Sequence, residues 1–442
     1  MVFVGELLSW GFHGRFCALP VGKHTKGPPA NSLSSRKSLR TLSSSFSSPS
    51  LRYAVLGAGF AGISVAWHLL KQCPKDSNLK VDLYDEVGIG GGASGVSGGL
   101  LHPYSPKGKL LWRGADCFRE CLALLSIAEA AICSNGSNSL AGVGDSSSDL
   151  DNFLVRRRGI LRPAMDMKNF NNFNDNAQNC DPSCSIETID KDTAWKLAPN
   201  ISLPVNSAFH MPQAVNVHPL RYLQALFLAC QNLGRQLSST SHTQKDLCLH
   251  KKTVQNLIEL EDEYDAVIIC LGAKADMLPE LYGWLPLRAC RGVIAHLELP
   301  GDTSLESCFR EHYPDDTPSV LSDAWLAIQG TRISTDEATK ALQELLPKAS
   351  AFYPGIKDWT FAGAKAGLRA MPPLTAHGSL PLLGCVDNFI GKDTNCRYWL
   401  FGGLGSRGLL YHALLGRLTA QAVISCNEQF LPSELTSWKN NS

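Results

Sequence analysis

The stretch Tyr53–Leu70, YAVLGAGFAGISVAWHLL, constrains the fold more than any other part of this 442-residue chain. Tyr53–Leu56 is a short apolar run of the kind that forms a buried parallel strand. Gly57, Gly59 and Gly62 follow at GxGxxG spacing, and Phe60 and Ala61 lead into a helix with Ile63, Ala66 and Leu70 on one face. Such spacing permits a tight turn at Gly57, close approach of backbone to a phosphate at Gly59, and tight helix–strand packing at Gly62. Pro74 ends the helix, and KVDLYDE supplies a second strand closing on Asp85, 23 residues after Gly62. An acidic side chain there is placed for a ribose hydroxyl pair. The unit predicts an α/β fold whose first turn binds a dinucleotide. It leaves open whether that is an exchangeable nicotinamide or a resident flavin.

The chain is long enough for two lobes and a large core. No run approaches the ~20 apolar residues of a membrane span, so no integral membrane segment is expected. The fifteen cysteines are scattered without a CxxC pair. Cys180/Cys184 and Cys117/Cys121 lack a second pair or a histidine at zinc-type spacing, so no metal site is expected and reduced buried thiols are. The first fifty residues hold eleven serines, six Lys or Arg and one acid, Glu6. That composition matches an organelle transit peptide, plastid before mitochondrion. Residues 51–442 then carry 35 basic and 39 acidic groups, a net of −4 that does not advertise nucleic-acid binding.

Beyond Asp85, Gly88–Gly108 is an extended glycine-rich loop, and residues 110–132 read as an amphipathic helix. Gly/Ser/Asp/Asn-rich residues 134–152 and Asn-rich residues 168–190 read as surface insertions with little structure of their own. Pro219–Cys230 returns to helix. YDAVIICLGAKAD is a second strand running into Gly272. YWLFGGLGSRGLLYHALLGRLTAQAVI is a strand, a glycine turn and a helix with Leu410, Leu414, Leu418 and Ala422 on one stripe. Glycine turns feeding helices at both ends of the body predict a Rossmann-like cofactor domain built from discontinuous segments. Its expected parts are 51–105, 215–290 and 360–427. A substrate domain with a mostly antiparallel sheet, 106–214 and 291–359, is inserted between them, and 428–442 is a tail. A nicotinamide dehydrogenase more often keeps its dinucleotide unit contiguous, which favours flavin.

Four stations in order carry a resemblance: GAGFAG with Asp85, GGASG, CLGA, and the pair GLRAMPPLTAHGSLPLLG with FGGLGSRGL. Together they resemble the FAD-dependent amino-acid and amine oxidoreductases of the D-amino acid oxidase superfamily, over most of residues 51–425. The resemblance implies FAD as cofactor. It implies that Gly57, Gly59, Phe60, Ala61 and Gly62 meet its pyrophosphate and Asp85 its adenosine ribose. Ala93, Ser94 and Gly95 would follow the phosphate and ring, Val254 the adenine, and Gly272 the second turn. Gly403, Gly405, Ser406, Arg407 and Gly408 would approach the pyrimidine edge of the flavin. In the glycine-oxidase-like branch the arginine of the GLR motif pairs with the substrate carboxylate, which implies that role for Arg369. His377 stands where the family commonly has aspartate, and no role is carried to it. His102, just after the GGASG loop, is a candidate for the substrate face.

The implied reaction is hydride transfer from the carbon beside an amine to flavin N5, followed by imine hydrolysis, with a small amine or amino acid as substrate. The electron acceptor, oxygen or another carrier, is not legible. The GASG loop and the LGSRGL turn also resemble the oxidoreductase half of the bacterial bifunctional enzyme that modifies the tRNA wobble uridine. That makes tRNA an alternative partner, with VRRRGILR (Val155–Arg162) and Arg407 as phosphate contacts. A flavin-loaded assembly factor without turnover is a third reading.

Overall fold

A computed structural model describes residues 50–134, 153–240, 243–261, 263–298, 319–320, 327–328, 334–390 and 397–441. The expected transit peptide and the 134–152 insertion, apart from residues 50 and 134, lie outside them. Six strands form the central sheet: β1 (Ser50–Leu56), β2 (Asn78–Tyr84), β3 (Lys245–His250), β4 (Ala266–Ile269), β5 (Leu382–Cys385) and β6 (Arg397–Gly402), in the order β5-β6-β4-β1-β2-β3. All neighbours are parallel except β5 on β6. The strands thus come from three stretches of chain separated by long insertions.

Why these segments form a two-faced sheet follows from side-chain alternation. Tyr53, Val55, Leu79, Val81, Leu83, Ile268, Trp399 and Phe401 point into one core, which is closed by four helices. These are α1 (Phe60–Gln72), α2 (Gly114–Ser134), α3 (Pro219–Thr240) and α4 (Gly408–Ser425). Ala54, Leu56, Val267, Ile269, Tyr398 and Leu400 face the opposite core, with Leu257, Leu260, Leu281 and Trp438. Residues 428–441 form helical turns over β5: Trp438 Nε1 donates to the Leu383 carbonyl at 2.9 Å.

α1 and α4 meet closely because Gly416 has no side chain; a Cβ there would overlap Ser64 Oγ. That hydroxyl donates to the His412 carbonyl at 2.8 Å. His412 Nδ1 donates to the Leu409 carbonyl at 2.9 Å, so Nε2 accepts the Tyr222 hydroxyl proton at 2.8 Å. Burial pushes His412 down to about 4 and His68, on α1, down to about 3. Both stay neutral in the folded protein while the unfolded chain takes up protons near pH 6.5. Stability is therefore complete above pH 6.5 and falls as pH drops toward 4, by about 1.4 kcal/mol per pH unit for each histidine. Thermal melts at pH 7, 6 and 5 are expected to show that decline, and His68→Met to flatten it by about one proton.

A long antiparallel pair joins Arg288–Glu298, across the expected 290/291 boundary, to Thr360–Met371, which was expected in the cofactor domain, with a register shift between His296 and Leu297. Helix Thr335–Phe352 opens with a capping box, Ser334 with Glu337. Glu337 also receives Arg291, a buried arginine of the first strand, at 3.3 Å. In a separate sheet Ser207–Met211 pairs antiparallel with Ile160–Pro163 on one side and Glu187–Asp190 on the other, and Ser319–Val320 runs parallel to Ile160–Leu161.

Here the structure corrects the reading of residues 168–190 as a surface insertion with little structure of its own. Met167–Ala177 is a helix and Glu187–Asp190 a strand. Asp166 caps the helix by accepting the Asn169 N–H at 2.6 Å. Phe173 is buried against Phe209, ring centroids 4.4 Å apart, and Phe170 stacks on the same ring. Two aromatic anchors at helical spacing outweigh the poor helix propensity of asparagine. The predicted 110–132 and 219–230 helices run over Gly114–Ser134 and Pro219–Thr240.

Candidate active site

The glycine turn is built by backbone crowding. Gly57 has φ +105°, and a Cβ there would overlap the Cys270 carbonyl oxygen. Its N–H donates to the Tyr84 carbonyl at 2.7 Å, so the turn is held between the ends of β2 and β4. A Cβ on Gly62 would overlap the Gly57 carbonyl oxygen and lie 3.2 Å from Val55 Cγ1. Gly59 is the N-cap of α1, and a Cβ there would lie 2.8 Å from Ser94 Oγ. That hydroxyl accepts the Phe60 N–H at 3.1 Å, which brings the Ala93–Gly95 loop to the head of α1. Ala61 is buried one residue further along. The shape suits a pyrophosphate: bare backbone at a helix N-terminus, where unsatisfied N–H groups and the helix dipole favour an anion.

Asp85 stands just past β2, as predicted. Its Oδ2 accepts the Ala58 N–H at 2.9 Å, and its Oδ1 accepts those of Val87 and Gly88 at 3.0 and 2.9 Å. The carboxylate thus locks the turn to the following loop, and Oδ2 retains one lone pair for a ribose hydroxyl. Asp85 N–H donates to the His250 carbonyl at 3.0 Å, which sets the chain leading to buried Val254 alongside. Gly272, at φ +58°, opens the short turn after β4. From that turn Lys274 pairs with Glu86 across the top of the glycine turn. This ion pair was not legible in the sequence.

The last turn arrives from the other side. Gly403 and Gly405 have φ +66° and +54°, and Gly405 N–H donates to the Ala370 carbonyl at 2.9 Å. The turn is thereby stitched beside Arg369. Ser406 is half-buried and Arg407 is the N-cap of α4. A Cβ on Gly408 would lie 3.2 Å from Phe60 Cδ2, so the N-termini of α1 and α4 converge. Two converging helix heads favour negative charge at this point, as a reduced flavin requires near its pyrimidine edge.

Arg369 lies on Thr360–Met371, with Cys290 directly across the ladder. Its guanidinium rests over Gly292 of the neighbouring strand. Gly367, on the same face, packs against Ala93 and Val96. Arg369 therefore stands next to the loop expected to follow the flavin.

His102 is buried, 4% exposed, and its Nδ1 accepts the Tyr104 N–H at 3.3 Å, which leaves its proton on Nε2. Burial, then the charges of Arg407 and Arg162, push it well below the ordinary imidazole range. It is a neutral group and no proton carrier near pH 7.

The basic stretch Val155–Arg162 is engaged within the protein. Arg157 makes a bidentate pair with Glu129 at 2.7 Å on both arms. Arg156 lies over Phe153 at 3.9 Å, and Arg162 is buried with its guanidinium 5.1 Å from the Phe173 ring. Among the described residues no group of His, Cys, Asp or Glu could hold a metal, and no helix is long and apolar enough to cross a membrane. Burial raises the thiols of Cys117, Cys121, Cys230 and Cys270, which makes them unreactive.

Comparison with known proteins agrees with this geometry. The model of the DAO family, described as FAD dependent oxidoreductase, matches residues 52–422. A Rhizobium etli protein provisionally named thiamine biosynthesis oxidoreductase ThiO is 24% identical over 338 residues, 73% of this chain and 85% of its own. Glycine oxidase from Geobacillus kaustophilus superposes with a TM-score of 0.64 at 17% identity, covering 87% of this chain and 98% of that one. Iminodiacetate oxidase from Chelativorans sp. gives 0.59 at 19% identity, with the same coverage.

Proposed function

Because this chain belongs to the DAO family of FAD-dependent oxidoreductases, we propose that it oxidises the C–N bond of an amino acid or an N-substituted glycine. The observation that carries this reading is Arg369, a guanidinium held on the sheet face beside the cofactor loop. A planar fork there suits a carboxylate held by two parallel hydrogen bonds. Glycine oxidase and iminodiacetate oxidase, which share the fold, are named for substrates of this class.

FAD, when bound, would supply the acceptor for a hydride from the carbon that carries the nitrogen, leaving an imine for water to hydrolyse. Gly57, Gly59, Gly62 and the heads of α1 and α4 would hold its phosphates and balance its charge, with Asp85 at the ribose. What the chain adds is position. Arg369 fixes the carboxylate end, so the reacting C–H bond is presented in one orientation. No side chain is required to carry the proton, consistent with a neutral, buried His102.

The test is an anaerobic titration of the purified flavoprotein with glycine, sarcosine, iminodiacetate, D-amino acids and a carboxymethylaminomethyl-uridine nucleoside. Bleaching of the flavin band near ~450 nm by carboxylate-bearing amines is the expected result. Bleaching by amines that lack a carboxylate, with none by these, would overturn the reading. A flavin band that no amine bleaches would favour an assembly factor.

A further inference from the structure

We infer that Gly292 is a positioning residue for Arg369: its missing side chain is the notch in which the guanidinium rests. The consequence for catalysis rests on the function proposed above; the geometry does not.

The argument begins with register. Across the long antiparallel pair, Gly292 faces Gly367 and Cys290 faces Arg369. Directly paired residues point to the same face, so Gly292, Gly367, Cys290 and Arg369 share one surface of the sheet. Two glycines paired in mid-ladder leave a gap in that surface, and strand interiors otherwise disfavour glycine. Neither glycine has a positive φ, so backbone conformation does not demand them.

Space does. A Cβ built on Gly292 would overlap Arg369 Nη2 and lie 2.8 Å from Cζ and 2.9 Å from Nε. A Cβ on Gly367 would meet Val96 Cγ2 at 2.6 Å and Ala93 Cα at 2.8 Å. One half of the gap thus receives the arginine head and the other receives the cofactor loop. The notch sets the spacing between the carboxylate anchor and the loop.

The two glycines differ in what gives way. At Gly367 the obstacle includes loop backbone, so a methyl group there pushes the Ala93–Val96 loop. At Gly292 the obstacle is the far end of a flexible side chain, which can lift off the sheet. Gly292→Ala is therefore expected to fold normally and hold flavin, yet carry Arg369 displaced by about 1 Å or more. Misplacement on that scale costs about 10²-fold in an oriented reaction.

Four proteins test this: wild type, Gly292→Ala, Arg369→Ala and the double variant. The substrate probes are acetate, followed by the shift of the flavin spectrum, and the amine that bleaches the flavin. The independent probe is phenylglyoxal labelling of Arg369, mapped by mass spectrometry. For Gly292→Ala we expect a melting temperature within about 3 °C of wild type. Acetate Kd should rise severalfold, and kcat/KM for the amine should fall about 10²-fold. Labelling of Arg369 should speed up severalfold. In the Arg369→Ala background, Gly292→Ala should cost nothing further, because the group it displaces is gone. Unchanged labelling in Gly292→Ala overturns the inference whatever the substrate, and so does a further 10²-fold loss in the double variant. Faster labelling in a protein that answers to no carboxylate or amine leaves the notch standing and sinks the proposed function instead.

Discussion

Replacing Arg369 by alanine is expected to lower kcat/KM for a carboxylate-bearing amine by about 10²–10³-fold while the protein keeps its flavin. The size follows from what is lost. A carboxylate held by a guanidinium in a half-buried site makes charge-assisted hydrogen bonds about twice as strong as neutral ones. Removing the fork leaves the substrate anion desolvated and unmatched. Most of the loss should appear in KM, since the carboxylate is held alike before and during hydride transfer. Arg369→Lys retains the charge but not two parallel donors in one plane, so it should recover only part of the loss. Flavin content is expected to stay at the wild-type level in both variants. Steady-state kinetics with the absorbance ratio of flavin to protein measures both quantities. An Arg369→Ala enzyme with unaltered KM would move the carboxylate anchor elsewhere.

Gly62→Ala should yield protein without flavin and with a fold weakened by more than ~3 kcal/mol. The added methyl group would overlap the Gly57 carbonyl oxygen, and both partners are backbone. No rotamer change relieves such a clash. Either α1 lifts from β1, opening the core around Ile63 and Ala66, or the Gly57 turn unwinds between Tyr84 and Cys270. Gly59→Ala is the informative contrast. Its methyl group meets the Ser94 hydroxyl, a side chain that can rotate away at the cost of its bond to Phe60 N–H. That variant should fold and bind FAD more weakly. Thermal melts followed by circular dichroism, with flavin release by ultrafiltration, separate the two cases. A Gly62→Ala protein that melts like wild type and stays yellow would contradict the crowding argument.

Much of the cofactor side was legible because its causes are local. Gly57, Gly59 and Gly62 sit within six residues, and the strand before them and helix after them have their own periodicities. Asp85 was placed by the length of one helix and one strand. Two of its partners, the Val87 and Gly88 N–H groups, are as local as Asp85 itself, but the Ala58 N–H of the glycine turn reaches it only when β2 lies beside β1. The Asn-rich segment was misread for a related reason. Its helix is held by Phe170 and Phe173 against Phe209, and nothing within the segment announces that partner. A glycine isolated in the strand pattern RACRGVIAHLE was a visible sign of close approach, but not of what approaches.

By itself, then, the amino-acid sequence determined the glycine turn, the alternation that divides the central sheet into two buried faces, and the FAD-dependent class of the chain. These depend on steric rules acting over a few residues and on motif order. The tertiary structure alone decided what those parts do together. The strands are interleaved from distant stretches, α1 and α4 converge at their N-termini, and a glycine at 292 receives the head of an arginine at 369. Each of those contacts joins residues far apart in the chain. Their geometry is set by strand register and by which residue lacks a side chain where two elements meet, and neither is encoded in any local pattern.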